Sequence, residues 1–300
     1  MEGTNAAQAA MEYLMTYGWA ILIIAVVIGA LAYLGVFNLD FIVPKTQPGY
    51  CQVFRPNGPD TATNLALQGL CNTYPEYTLS IKTDADYILG NDRYLPTGSS
   101  PRTITEWVYY QGGSFAMLGG YGSCISVKGS LSFIMVSSGS LWFWGWGDDF
   151  YPSLSVPENE WAFVAATYPA NGNPLYVTMY ANEKSQTGEL TSGVPLSTPV
   201  NSRMFIDWGG CGGGQYQMQV ANEQIYNASL DSASINALYL EGIGGAPIDM
   251  QNLVAWWPLN GNLNDYSGNG QNAQLIIDNQ PVVPNSLFWT SSWYDGYTQP

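Results

Sequence analysis

The sequence predicts a long apolar N-terminal helix joined to an all-β head, an antiparallel β-sandwich of the jelly-roll kind that contains one short helix. Three observations predict it. From Tyr13 to Phe37 no residue is charged, and at a rise of 1.5 Å per residue such a run makes a helix of roughly 37 Å, longer than the ~30 Å of bilayer hydrocarbon. From Tyr77 onward, short apolar or alternating runs dominated by β-branched and aromatic residues are separated by Gly, Pro, Asn and Ser, the pattern of many strands joined by turns. Only one later stretch, from Asp231 to Gly242, breaks that pattern with a helical period.

The first element carries a carboxylate at its edge. Glu12 opens the apolar run, where hydrocarbon costs it several kcal/mol unless a positive charge neutralises it. A cut between Ala7 and Gln8 would place a new amino terminus one helical turn from Glu12, so the amine of a neighbouring copy can be the counter-ion.

The residues Gln8-Ala9-Ala10-Met11-Glu12-Tyr13-Leu14, followed by the unbroken apolar helix, closely resemble the archaeal type IV pilins with a class III signal peptide. That resemblance implies a leader over 1–7 removed by a prepilin peptidase, Gln8 as the first mature residue and Glu12 as the fifth. It further implies that the helix over 8–43 waits in the cytoplasmic membrane and is drawn by pilus assembly machinery into a homo-oligomeric helical filament on the cell surface. Gly18, Gly29 and Gly35 are then the positions of close helix approach. One departure is visible: the family carries Lys or Arg before the cut, whereas here the leader holds only Glu2. An uncleaved membrane anchor is the alternative. An ordinary secretory signal does not fit, because its apolar core would span only ~7–15 residues.

Beyond the helix, Pro44 and Pro48 end the helical pattern and begin a stalk and loop segment over 44–76, with Pro56-Asn57-Gly58-Pro59 as a turn. Four cysteines follow, Cys51, Cys71, Cys124 and Cys211, too far apart for metal or redox CxxC motifs. Outside a membrane an even count reads as two disulfides, with three possible pairings. Cys51 with Cys71 and Cys124 with Cys211 is the favoured set, since the first two share a Pro/Gly-rich segment.

The head occupies 77–300. Expected strands are 77–82, 102–111, 114–118, 123–128, 130–137, 140–146, 160–168, 175–182, 203–207, 215–226 and 253–259. The expected helix has Asp231 as N-cap and Gly242 as its stop, with Ile235, Leu238 and Tyr239 on an apolar face. Segments 159–168 and 175–182 resemble the paired central strands of the concanavalin A-like, laminin-G-like lectin superfamily. The run 220–231 with its helix is similar to the last strand and helix of those domains, and 253–270 resembles their opening strand and turn. An opening motif near the end suggests a permuted sandwich closed by its C-terminal strand, and the resemblance as a whole implies a lectin-like head used for adhesion to surface glycans.

Composition limits the chemistry. Eight basic and 23 acidic residues give a net charge of -15, which repels phosphate and argues against nucleic acid as a partner. There is no histidine, so neither a Ser-His-Asp triad nor a His-based metal site can form. Only 10% of residues are charged, against ~25% on average, which suits a polar, uncharged extracellular surface.

Trp142, Trp144 and Trp146 alternate along one strand, with Asp148 and Asp149 just beyond. Indoles beside carboxylates can stack on and bind a sugar, but Leu141 and Phe143 on the other face equally suit a strand buried on both sides. Asn262 and Asp265, with Asp207 or Asp249, offer the oxygen ligands that Ca²⁺ takes, and Asn is also a turn former in its own right. A secreted glycan hydrolase, the third reading, needs two carboxylates facing each other across a cleft. The pairs Asp84/Asp86 and Glu158/Glu160 are close in sequence but sit at turns or strand edges, and the superfamily's Glu-x-Asp-x-x-Glu run is absent. An enzyme is therefore not expected, and no cofactor beyond Ca²⁺ is implied. Asn227-Ala228-Ser229 is an N-glycosylation sequon.

Overall fold

The computed structural model describes Tyr17, residues 21–28, 50–54, 62–66, 75–81, 86–90, 93–124, 127–200, 202–207, 216–277, 280–285, 288–291 and Tyr297. For 50–54, 62–66, 86, 87 and 216 the description concerns the backbone. The chain divides into two units, Met1–Gln47 and Pro48–Pro300. In the first, Tyr17 and residues 21–28 are helical, with their aliphatic side chains exposed. Among the described residues no helix is long and apolar enough to cross a membrane. The remainder of the expected helix, with Ala7, Gln8, Glu12, Gly18, Gly29 and Gly35, lies outside them.

The second unit opens with a two-stranded antiparallel ribbon, β1 (Tyr50–Phe54) and β2 (Ala62–Ala66), where the sequence suggested only loop. An eight-stranded sheet runs in the order β11 (Lys184–Glu189), β10 (Tyr176–Ala181), β9 (Trp161–Tyr168), β5 (Arg102–Gly113), β13 (Tyr216–Tyr226), β3 (Thr78–Ile81) and β17 (Trp289–Thr290). Its eighth strand, β14 (Leu253–Trp257), pairs with the 223–226 end of β13, while β3 takes residues 218–220 of the same edge. A seven-stranded sheet runs β16 (Gln280–Val282), β15 (Gln274–Ile277), β4 (Asp86–Leu89), β12 (Arg203–Ile206), β6 (Ala116–Gly122), β7 (Leu131–Ser137) and β8 (Ser140–Trp144). Every registered pair is antiparallel, such as Thr105 opposite Ala165 across β5 and β9.

The two sheets enclose one core, to which Val108, Leu118, Ile134, Val164, Val220 and Trp257 contribute. Each sheet also buries its outer face. On the eight-stranded sheet, Trp107, Phe163, Tyr226 and Trp256 lie under α1 (Ser232–Glu241) and its Ile235 and Leu238. On the seven-stranded sheet, Met117, Leu131, Phe133, Met135 and Phe205 form a third cluster. Burial on both faces explains why β9 is apolar throughout rather than alternating.

Helix α1 begins and ends as its sequence suggests. The Ser234 N–H donates to the Asp231 side chain at 2.8 Å, which holds that carboxyl below the usual carboxylate range, and Gly242 stops the helix at φ +80°. The expected strand 123–128 does not form in its described part. Ser123 N–H donates to Ser130 O, and Ser130 N–H to Val127 O, which makes a turn between β6 and β7.

Several polar groups inside the head are tied down. Arg102, 1% exposed, donates to Ser132 Oγ, Thr198 Oγ1 and the carbonyls of Ser100 and Gly98, between the rings of Tyr121 and Tyr168. Thr103 Oγ1 donates to Ala228 O and accepts from Leu230 N, which fixes the loop before α1 to β5. The Asp265 carboxylate accepts from the N–H groups of Trp256, Ser267 and Gln271 and from Ser267 Oγ, so one side chain organises the turn from β14 to β15. Along the outer edge of β8, Phe143 and Phe150 exchange backbone hydrogen bonds, Leu141 N–H donates to Leu154 O, and Val156 N–H donates to Gly139 O.

Gly120, at φ +153°, leaves no room for a side chain: a Cβ there would stand 2.2 Å from Ser132 O on the neighbouring strand. Gly120→Ala is expected to lower stability by about 2–4 kcal/mol through backbone strain and overpacking, read as a lower urea midpoint for the detergent-solubilised chain. Asp265→Ala, which orphans several buried donors, is expected to cost about 3 kcal/mol in the same measurement.

Candidate functional site

The outward face of β6, β7 and β8 presents the aromatic side chains that the sequence singled out. Trp142 and Trp144 lie on β8, opposite Met135 and Phe133 of β7. Pleating sends them outward while Leu141 and Phe143 enter the inter-sheet core. Trp146 follows the strand at φ +60° and remains with them, its ring centroid 5.4 Å from that of Trp144. All three pack on the outer cluster and are half-buried. The strand is thus neither sealed on both sides nor fully open on one.

Two further aromatics complete the strip. Phe115, at the β5–β6 turn with φ +58°, meets Trp142 edge-on at 5.7 Å, and Tyr151 also meets it edge-on, at 4.7 Å and 85°. Phe115 is 41% and Tyr151 49% exposed, so the strip reaches solvent at both ends. The sequence reading missed both, because each lies outside the alternating Trp run.

The turn after β8 orders the polar partners. Asp149 Oδ1 accepts from Gly145 N–H at 2.9 Å, and its Oδ2 accepts from the Tyr151 hydroxyl at 3.0 Å. Burial and the Asp149 carboxylate push the Tyr151 phenol up to about 12, so it stays a proton donor at physiological pH. Asp148 is placed differently from the expectation. It is buried, with Oδ1 accepting from Ser192 N–H, and so is not at hand for a surface ligand. Phe150 covers Gly188 of β11, where a Cβ would fall 2.0 Å from its ring, and this contact pins the turn to the opposite sheet. The arrangement offers flat apolar rings beside one half-exposed carboxylate and one hydroxyl. It suits stacking and hydrogen bonding, and it contains no acid–base pair across a cleft.

The other expected residues are scattered. Asp265 is occupied by four donors, and Asn262 Oδ1 caps Asn264 N–H, so both act as turn formers. Asp207 ends β12 with its N–H donating to Met117 O. Among the described residues no group of three or more acidic or cysteine side chains can hold a metal. Glu158 and Glu160 are exposed. Cys124 is disulfide-bonded, and Cys71 and Cys211 lie outside the described residues, as does the side chain of Cys51. Asn227 and Ser229 are exposed and line an open groove of about 750 Å³ together with Thr167, Thr178 and Thr187. The sequon is therefore presented at the surface.

A pair of acids that the sequence reading passed over lies elsewhere, on β5 and β13. Glu106 and Glu223 are both 0% exposed inside the sandwich. The available signal was a single Glu in each of the two strands. No solvent reaches them, so they are no hydrolase pair.

No known protein family matches the chain by sequence, and no curated protein does so either. Among solved structures it is similar to a provisionally assigned carbohydrate-binding protein from Bacteroides ovatus, with 13% identity and a TM-score of 0.49 over 76% of this chain and 66% of that one. It is also similar to the binding domain of Paraclostridial Mosquitocidal Protein 1, with 14% identity and a TM-score of 0.43 over 65% of this chain and 46% of that one. A third likeness is to a heptameric SAP-like pentraxin from Limulus polyphemus, with 13% identity and a TM-score of 0.37 over 65% of this chain and 96% of that one. The chain thus spans less than two thirds of the first two structures' length.

Proposed function

We propose that this chain is a cell-surface filament subunit of the type IV pilus kind, whose β-sandwich head binds neutral glycans. The observation that carries the head's role is the strip Phe115–Trp142–Tyr151, with Trp144 and Trp146 beside it, half-open to solvent on an outer sheet face. Aromatic faces stack on the C–H faces of sugar rings, and Asp149 with the Tyr151 hydroxyl supplies the polar contacts that orient them. The low charged content and net charge of -15 favour an uncharged ligand over an anionic one. Support for the filament role is the cleavage-site sequence, Glu12 and the apolar run after it.

On this reading the helix holds the subunit in the membrane until assembly, and Glu12 pairs with a neighbour's new amine. An uncleaved, membrane-anchored lectin is the rival for the first part only, and the two differ in their mature N-terminus.

On a glycan array the detergent-solubilised chain is expected to bind neutral saccharides, and Trp142→Ala to bind them about tenfold more weakly, roughly 1.4 kcal/mol. A blank array, or unchanged binding by Trp142→Ala, would overturn the glycan reading. N-terminal sequencing of surface material is expected to begin at Gln8. Glu12→Gln is expected to abolish filaments seen by electron microscopy while leaving the membrane form intact, and a start at Met1 or normal filaments from Glu12→Gln would refute the assembly role.

A further inference from the structure

Glu106 and Glu223 stand on adjacent strands, β5 and β13, and face the core between the sheets. A Cβ on Gly119 of β6 would lie 2.7 Å from Glu223 Oε1 and 3.2 Å from Glu106 Oε1, so both carboxyl groups converge on one glycine of the opposite sheet. None of their four oxygens has a well-formed hydrogen bond, and the one polar group acting on them among the described residues is the Gly119 N–H beside Glu106. Two carboxylates in that position would be unpaired, desolvated and mutually repulsive, each of which disfavours the charged form.

Among the described residues nothing basic relieves them. Arg102 is the basic side chain that enters this core among the described residues. Its Cα lies four residues along β5 from that of Glu106, about 13 Å away, and its guanidinium is engaged with Ser132, Thr198 and two carbonyls. The other titratable groups on elements packed around the pair are Tyr110 on β5, Tyr121 on β6, Tyr168 on β9 and Asp207 at the end of β12, none of them a cation. The described core-facing side chains of β3, β7, β13 and β14 add none beyond Glu223 itself. Burial pushes both carboxyls well above the usual carboxylate range. The Gly119 N–H opposes this at Glu106, and the neighbouring Glu106 charge adds to it at Glu223.

We propose that Glu106 and Glu223 are carried inside the sandwich as neutral carboxyl groups, and that this pair makes the head an acid-stabilised fold that loosens as the surrounding pH rises. The sign follows from proton counting. The unfolded chain releases both protons near the ordinary glutamate value, while the native head retains them to higher pH. Native protein therefore binds more protons than unfolded protein above that value, and stability falls with pH, by up to about tenfold in the folding equilibrium per pH unit for each retained proton. Below the ordinary value both states are protonated and the contribution is fully present.

Urea unfolding of the full chain in detergent from pH 4 to pH 8 tests this. The wild type is expected to lose stability steadily above about pH 5, Glu106→Gln to show a shallower fall, and the Glu106→Gln/Glu223→Gln double variant to be nearly flat and the most stable of the three at pH 8. A double variant that keeps the wild-type slope, or a wild type whose stability is flat or rising over this window, overturns the proposal. Infrared spectroscopy of the wild type at pH 6.5 decides the matter even where a variant fails to fold. A protonated-carboxyl C=O stretch is expected there, and its absence rejects the neutral pair. Neither experiment involves a glycan or a filament, so failure here leaves the proposed function standing, and the reverse.

Discussion

Both large sheets bury apolar side chains on each of their two faces, and this double coverage is the constraint from which the rest of the head follows. A sheet covered on one side would leave alternate positions polar. Here β5, β9 and β13 serve the central core with one set of residues and the layer beneath α1 with the other. On the opposite sheet, β6, β7 and β12 do the same with the aromatic cluster on its outside. With so few charges in the chain, apolar coverage holds the layers together, and several of the polar groups that do enter find partners locally. Arg102, Thr103 and Asp265 show how that is met, each by hydroxyls or backbone groups rather than by an opposite charge.

Much of this was legible in the residues, and the failures have physical causes. Strands such as β5, β7, β9 and β10 were visible because a strand covered on one or both faces must be rich in β-branched and aromatic side chains, and α1 because its caps are chemically specific. β11 was missed because all its side chains are exposed or half-exposed. It is held by backbone pairing to β10 across a turn in which Asn182 adopts φ +51°, and such pairing leaves no hydrophobic trace. The run 123–128 looked like a strand from its composition, yet the turn closed by Ser123 and Ser130 prevailed in the part described. Glu106 and Glu223 escaped notice because a sequence does not say that two strands distant in order are neighbours. Residues 102–113 and 216–226 become adjacent only in the sheet.

The aromatic strip occupies a middle ground that sequence reasoning posed as a choice. Alternation placed Trp142, Trp144 and Trp146 together, but whether they faced a core or solvent depended on what lay over them. In the folded head their inner edges complete the outer cluster, while Phe115 and Tyr151 extend the aromatic surface to water. Asp148, grouped with them by position, turns inward to hold the backbone at Ser192, and Asp149 alone remains beside the rings. A rigid underside with an open rim is what preorganised recognition requires, since the rings lose little freedom on meeting a ligand.

Residues 150–156 run beside β8 and occupy backbone donors and acceptors that a terminal strand would otherwise present. An unguarded ladder is a template for adding strands from another molecule. At high concentration that template would join copies of a chain sideways into an intractable mat. The short return past the tryptophans therefore closes the margin at which separate copies of the head would otherwise join.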